Sequence, residues 1–219
     1  MIRELCSKAI PLPAKAIIHD ASQIEKTLRA WRKKIVTFLG FGELGYQDEG
    51  EFQSIVRDEL LRHGPAEVIV NTGTLITQGF HRGIADVYPL AKKLGFMTTG
   101  IHPSVALVHP KKHYLSGYVE HVFFVKDETW GGYLEDVRRS PTLETLIAVT
   151  DEVVVIGGGK HTAQEMLEFL QGGKPLRFYP ADMNHRVAAD WFCRQGESPV
   201  DFRGAAYHAW IRSHRQRAV

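Results

Sequence analysis

The chain has 219 residues, 44% of them apolar and 24% charged, with 27 basic side chains against 25 acidic ones for a formal charge of +2. That balance argues against a nucleic-acid binder, since only the tail Arg212-Ser213-His214-Arg215-Gln216-Arg217 is basic, and a helix end favoured by its own dipole accounts for it. Two distant cysteines, Cys6 and Cys193, make neither a disulfide framework nor a zinc site, and no run nears the ~20 apolar residues of a membrane span.

In chain order, Ala16-Ile17-Ile18 reads as a short strand, and Ser22-Gln23-Ile24-Glu25 as a capping box opening a helix that ends near Trp31. Lys34–Leu39 is the first strong strand. Asp48 with Glu51 three residues later starts a helix to about His63, stopped by Gly64-Pro65. Glu67–Asn71 is a strand, followed by a Thr- and Gly-rich loop to Gly79 and a helix from Phe80 to Leu94 that Gly95 closes. Phe96–Ile101 is a third strand; His102 to Gly117 is irregular; Val119–Val125 is a fourth. Ser140-Pro141 opens a helix with proline where its missing N–H costs nothing. Glu152–Ile156 is the most strand-like run, apolar after its first residue, as a central parallel strand is. Thr162–Leu170 is its helix and Pro175–Tyr179 the last strand.

Strands alternating with helices at βαβ spacing predict an α/β protein with a Rossmann-like, doubly wound, mostly parallel sheet and helices on both faces. Residues 34–180 form the nucleotide-binding body, 1–33 an N-terminal extension of strand and helix, and 181–219 a C-terminal helical extension. Ligands of such sheets bind beyond the carboxyl ends of the strands. The segments to inspect are therefore Gly40–Tyr46, Asn71–Gly79, His102, Lys126–Trp130, Gly157–Thr162 and Asp182–His185.

Two glycine loops compete. Gly40-Phe41-Gly42-Glu43-Leu44-Gly45 fits G-x-G-x-x-G after a strand, making Gly40 and Gly42 candidate ligand contacts. The next helix, however, begins only near Asp48, and Asp48, Glu49 and Glu51 in its first turn repel a phosphate. Asn71 also stands where a ribose-binding acid is expected. Gly157-Gly158-Gly159-Lys160-His161-Thr162 opens directly into a helix, with Lys160 as a full positive charge and no carboxylate before Glu165. It is not a Walker loop, because His161 follows the lysine. A tight turn with Lys160 merely solvated is the plain alternative, but the pattern favours a phosphate.

Gly157-Gly158-Gly159-Lys160-His161-Thr162-Ala163-Gln164-Glu165 resembles the P-G-G-x-G-T-x-x-E motif of the Lonely Guy family of phosphoribohydrolases, within the SLOG superfamily of nucleotide-binding proteins. Asp151 before the strand, and Asn71-Thr72-Gly73 through Gly79 with Gly83-Ile84-Ala85, resemble further parts of that pattern, so the likeness runs over roughly residues 34–180. The resemblance implies that Gly158, Gly159 and Thr162 hold a phosphate and that Glu165 acts on the ribose. Gly157 and His161 depart from the motif's proline and glycine. The family's catalytic arginine would fall at Thr142, with Arg138 and Arg139 just upstream.

Glu165 and Arg82 are the candidate catalytic residues, Arg82 as a fork-shaped donor at a helix start, where simple solvation also explains it. Gly73 and Thr74 join the glycine loops as candidate ligand contacts. His102, Asp127, Asp182, Asn184 and His185 follow strands, with capping or loop roles as alternatives. Trp130 beside Gly131-Gly132 reads either as a base-stacking group or, in preference, as ordinary core. The expected function is binding of a small-molecule nucleotide through the Gly157–Thr162 loop, with or without hydrolysis of its N-glycosidic bond. A non-catalytic nucleotide sensor and an NAD-dependent oxidoreductase are the alternatives. No cofactor, metal, nucleic acid or membrane partner is expected, and the chain is expected to be cytoplasmic and to form a homodimer.

Overall fold

The computed structural model describes residues 9–13, 16–72, 76–77, 83–108, 113–135, 137–197 and 200–216. The strands are β1 (Ala9–Pro11), β2 (Ile18–His19), β3 (Lys34–Gly40), β4 (Val68–Asn71), β5 (Ile76–Thr77), β6 (Met97–Pro103), β7 (His113–Ser116), β8 (His121–Val125), β9 (Glu152–Ile156) and β10 (Leu176–Tyr179). The α-helices are α1 (Ala21–Ala30), α2 (Glu49–Leu61), α3 (Val87–Lys93), α4 (Pro141–Val149), α5 (Lys160–Gln171), α6 (His185–Arg194) and α7 (Gly204–Gln216).

Seven strands form one sheet in the order β10-β9-β3-β4-β6-β8-β2, with every neighbouring pair parallel. After β2, which lies at one edge, the chain enters the centre with β3, moves outward through β4, β6 and β8, then returns to place β9 on the other side of β3 and β10 beyond it. This is the doubly wound, Rossmann-like arrangement, and the direction of winding reverses between β3 and β9. A second, antiparallel sheet of order β1-β7-β5 stands apart from the main one.

Burial on both faces explains why apolar residues run consecutively in the central strands rather than at alternate positions. In β3, Ile35 and Leu39 face one core while Val36 and Phe38 face the other; in β9, Val153 and Val155 are set against Val154 and Ile156 in the same way. The first core includes side chains of α1, α4, α5 and α7, the second those of α2, α3 and α6.

Local chemistry sets most helix starts. Asp48 accepts from the Glu51 N–H at 2.8 Å, and Ser140 from the Leu143 N–H at 3.1 Å with Pro141 at the first helical position. Three boundaries differ from expectation. The capping box of α1 is Asp20 with Gln23, two residues ahead of Ser22, because Asp20 is the residue in extended backbone. The helix expected from Phe80 is, in the described residues, a 3-10 turn at Ile84–Asp86 leading into α3. Helix α5 starts at Lys160, so Lys160 and His161 lie in its first turn. The N-terminal extension is part of the architecture, since β2 pairs with β8 and closes the sheet edge. Among the described residues no helix is long and apolar enough to cross a membrane.

Candidate functional site

Register places the two rival glycine loops side by side. Gly40 pairs with Ile156, so the loop after β3 and the loop after β9 leave adjacent parallel strands at the same edge, at the point where the winding reverses. They are two walls of one crevice.

The Gly40–Gly45 loop is packed against backbone rather than open to a ligand. A Cβ on Gly40 would stand 2.1 Å from the Tyr46 hydroxyl and 2.6 Å from the Ile156 carbonyl oxygen. Tyr46 is buried; its hydroxyl donates to the Ile156 carbonyl at 3.0 Å and accepts from the Phe41 N–H at 3.2 Å. Gly42 presents its carbonyl to Gly83, whose own Cβ would lie 2.1 Å from that oxygen. Helix α2 begins only at Glu49, and the Asp48 side chain already occupies its Glu51 N–H. Gly40 thus serves close packing, Gly42 lends its carbonyl to the close approach of Gly83, and the loop lacks the helix N-terminus that a dinucleotide-binding turn employs.

The second loop has the opposite character. Gly157 (φ +55°) and Gly158 (φ +131°) adopt left-handed backbone, and a Cβ on Gly157 would meet the Phe41 ring at 2.4 Å. Gly159 caps α5 with no side-chain bond, and the N–H groups of Gly158, Gly159, Lys160, His161 and Thr162 find no acceptor among the described residues. Five consecutive unused donors at the positive end of a 12-residue helix make this loop a candidate anion cradle. Lys160 and His161 are exposed above it.

Thr162 is buried, and its hydroxyl donates to the Gly40 carbonyl at 3.0 Å. It ties the two loops together, a role that spacing alone does not reveal. Gly158 is held from behind by α7, whose Ala206 N–H donates to the Gly158 carbonyl at 3.0 Å, while Gly204 packs on the same oxygen and on Phe41. The C-terminal segment therefore shapes the cradle; no local signal in the sequence announces it.

These contacts separate two neighbouring glycines. Gly158→Ala would set a Cβ 2.4 Å from the Thr162 methyl, in backbone that alanine avoids, and is expected to cost roughly 1–3 kcal/mol. Gly159→Ala meets nothing within 4 Å at φ −86° and should stay within about 0.5 kcal/mol of wild type in denaturant unfolding.

Glu165 lies three residues beyond Thr162, about 4.5 Å along the axis and on the same side of α5. Part of its surface reaches solvent, yet burial pushes its carboxyl up to about 7, and no hydrogen-bonding or ionic partner meets it among the described residues. A carboxyl poised near neutrality beside an anion cradle can hold or release a proton there.

The remaining candidates divide. Gly73, Thr74 and Arg82 lie outside the described residues. Asp127 is a structural hub, receiving Thr129 and Thr142 through both their N–H and hydroxyl groups; burial pushes its carboxyl up, but these bonds outweigh it and hold it below the usual range. Thr142, at the resemblance's arginine position, is thereby fully engaged, and Arg139 pairs with Glu168 at 2.6 Å. His102 is buried against Phe124. Asn184 caps α6, and Asp182 pairs with Arg203 at 2.8 Å and His185 at 3.3 Å. Trp130 is not core: it is 47% exposed. Among the described residues no group of three or more His, Cys, Asp or Glu is placed to hold a metal ion.

No protein-family model matches this sequence, and no curated protein matches it either. Solved structures do resemble it. The structural-genomics protein TM1055 is 21% identical, covering 65% of this chain and 72% of its own, at a TM-score of 0.45. Two structures of the molybdenum cofactor (Moco) carrier protein from Chlamydomonas reinhardtii are 16% and 19% identical, cover 84% of this chain and 97% and 98% of theirs, and have TM-scores of 0.45 and 0.44. At these identities and TM-scores the likeness says nothing about what this chain binds.

Proposed function

We propose that the protein binds a nucleotide through the Gly157–Thr162 loop and that Glu165 acts on its ribose, hydrolysing the N-glycosidic bond. The observation that carries this reading is the run of five unpartnered N–H donors from Gly158 to Thr162, followed on the same helix face by a carboxyl raised to about 7. The phosphate sits on the donors beside Lys160. The sugar then lies alongside the first turns of α5, within reach of Glu165. In hydrolysis, water adds to the anomeric carbon, the carbon–nitrogen bond breaks, and the departing base takes up a proton. Glu165 as carboxylate stabilises positive charge developing on the sugar and receives the proton of the attacking water, which it returns to solvent, while solvent supplies the proton that the departing base takes up. The resemblance to the Lonely Guy motif points to the same roles for these residues.

A second reading, a nucleotide sensor without turnover, is favoured by one observation. Arg139 is committed to Glu168 and Thr142 to Asp127, leaving no described cation paired with Glu165. The experiment that decides is incubation with nucleoside 5′-monophosphates, NAD and ADP-ribose, following thermal stabilisation and free-base release together. Hydrolysis predicts stabilisation with release, and Glu165→Gln should then lower release at least about 100-fold while sparing binding. Stabilisation without release assigns the sensor role. No stabilisation by any phosphate-bearing ligand refutes both.

A further inference from the structure

We propose that the His161 imidazole is a further ligand of the bound phosphate, and that it takes up a proton when the phosphate arrives. Affinity for a phosphate is then pH-sensitive, which rests on the phosphate-site reading above. His161 is the second residue of α5, and its own N–H is one of the five donors of the candidate cradle. Side chains on a helix tilt toward its amino end, so those of the first turn lean toward the donors. Thr162 is turned inward, its hydroxyl on the Gly40 carbonyl, whereas Lys160 and His161 are exposed. The imidazole has no hydrogen-bonding or ionic partner among the described residues. The Lonely Guy motif has glycine at this position, so the imidazole is an addition that this chain makes to the loop.

The charges around the ring decide its protonation. The helix end contributes roughly half a positive charge and Lys160 a full one, and both oppose a second cation. Glu165 lies four residues on, its Cβ about 5–6 Å from that of His161, and as carboxylate favours imidazolium. Other charges near the loop are spent on each other: Glu168 on Arg139 and the Tyr133 hydroxyl, and Asp182 on Arg203, the residue before Gly204. A phosphate monoester brings about 1.5 to 2 negative charges, which by themselves match or exceed the opposing positive charge. Its arrival therefore favours imidazolium, and histidine is the side chain that changes charge near neutral pH. Glu165, pushed up to about 7 by burial, takes up a share of its own, because the anion disfavours its carboxylate. Replacing it with glutamine isolates the share of His161.

Calorimetric titration with ribose 5-phosphate at pH 7, in buffers of different ionisation enthalpy, counts the protons taken up on binding. Glu165→Gln should take up at least about 0.3 proton per ligand. Adding His161→Gln should abolish that uptake and weaken binding about 3- to 10-fold at pH 6.5, with the melting temperature unchanged. Adding His161→Lys instead should abolish the uptake but keep the affinity, because lysine is charged throughout. Equal uptake with and without His161 would place the proton elsewhere and overturn the proposal. Affinity at pH 6.5 that His161→Gln leaves unchanged, or that His161→Lys fails to keep, would overturn it too. Wild type that binds no ribose 5-phosphate would overturn the phosphate reading with it.

Discussion

At pH 8, Glu165→Gln is expected to raise the free energy of unfolding by about 3 kcal/mol, while near pH 4 variant and wild type should coincide. Burial lifts the Glu165 carboxyl from its ordinary 4.5 to about 7 in the folded protein. The unfolded chain therefore releases this proton near 4.5, and the folded protein holds it until about 7. Between those values the folded state binds more protons, so wild-type stability falls as pH rises and levels off above 7. Glutamine carries no charge at any of these values, and the variant escapes the penalty. Chemical denaturation at intervals from pH 4 to 9 measures the difference directly. A difference that does not change with pH would mean that Glu165 is solvated like any surface glutamate, and one that turns against the variant as pH rises would mean that it is paired. A residue that lowers stability where it is ionised is the kind retained for activity rather than for folding.

The largest expected loss of stability lies at the opposite edge of the sheet. Glu59 and Glu152 are 1% and 4% exposed, and Arg177 serves both, with its Nε 2.7 Å from Glu59 and Nη2 bonded to Glu152. Lys34 completes the pairing of Glu152, while Arg62 and Tyr179 complete that of Glu59. Removing the shared cation leaves two buried carboxylates under-compensated, so Arg177→Met should cost about 3–5 kcal/mol. Because these groups cluster around the amino ends of β3 and β9, ligand binding by the folded variant should not change. A loss below about 1 kcal/mol in urea unfolding would contradict this account. The same cluster makes the fold acid-sensitive. Burial pushes the Glu152 carboxyl up, but its bonds to Lys34 and Arg177 outweigh that and hold it low, so its contribution is present above 4.5 and lost as pH falls through the folded value. Burial also lowers His63, so the unfolded chain takes up a proton first as pH drops below 6.5, weakening the fold further.

How much of this is legible in the sequence depends on whether the signal is local. Glu152–Ile156 followed by three glycines and a helix is local, and β9 and α5 form there, shifted only because Gly159 rather than a later residue caps the helix. Asp48 and Ser140 are caps that spacing alone identifies. Pairing between distant segments is not local. Nothing near Gly40 says that β9 will lie beside β3, so two motifs that look like rivals are walls of one crevice. Nor does the run Gly204-Ala205-Ala206 show that it will brace Gly158, or Thr162 that its hydroxyl will reach the Gly40 carbonyl. Trp130 misleads for a related reason: a tryptophan is by default core, and this one is 47% exposed.

The most direct test of the phosphate site is an amide nuclear magnetic resonance titration of isotope-labelled protein with AMP and with ribose 5-phosphate. Both should move the N–H signals of Gly158, Gly159, Lys160, His161 and Thr162, and Lys160→Glu should abolish the response. If both ligands leave those five signals in place, or shift only Gly40–Gly45, the Gly157–Thr162 loop is not the phosphate site.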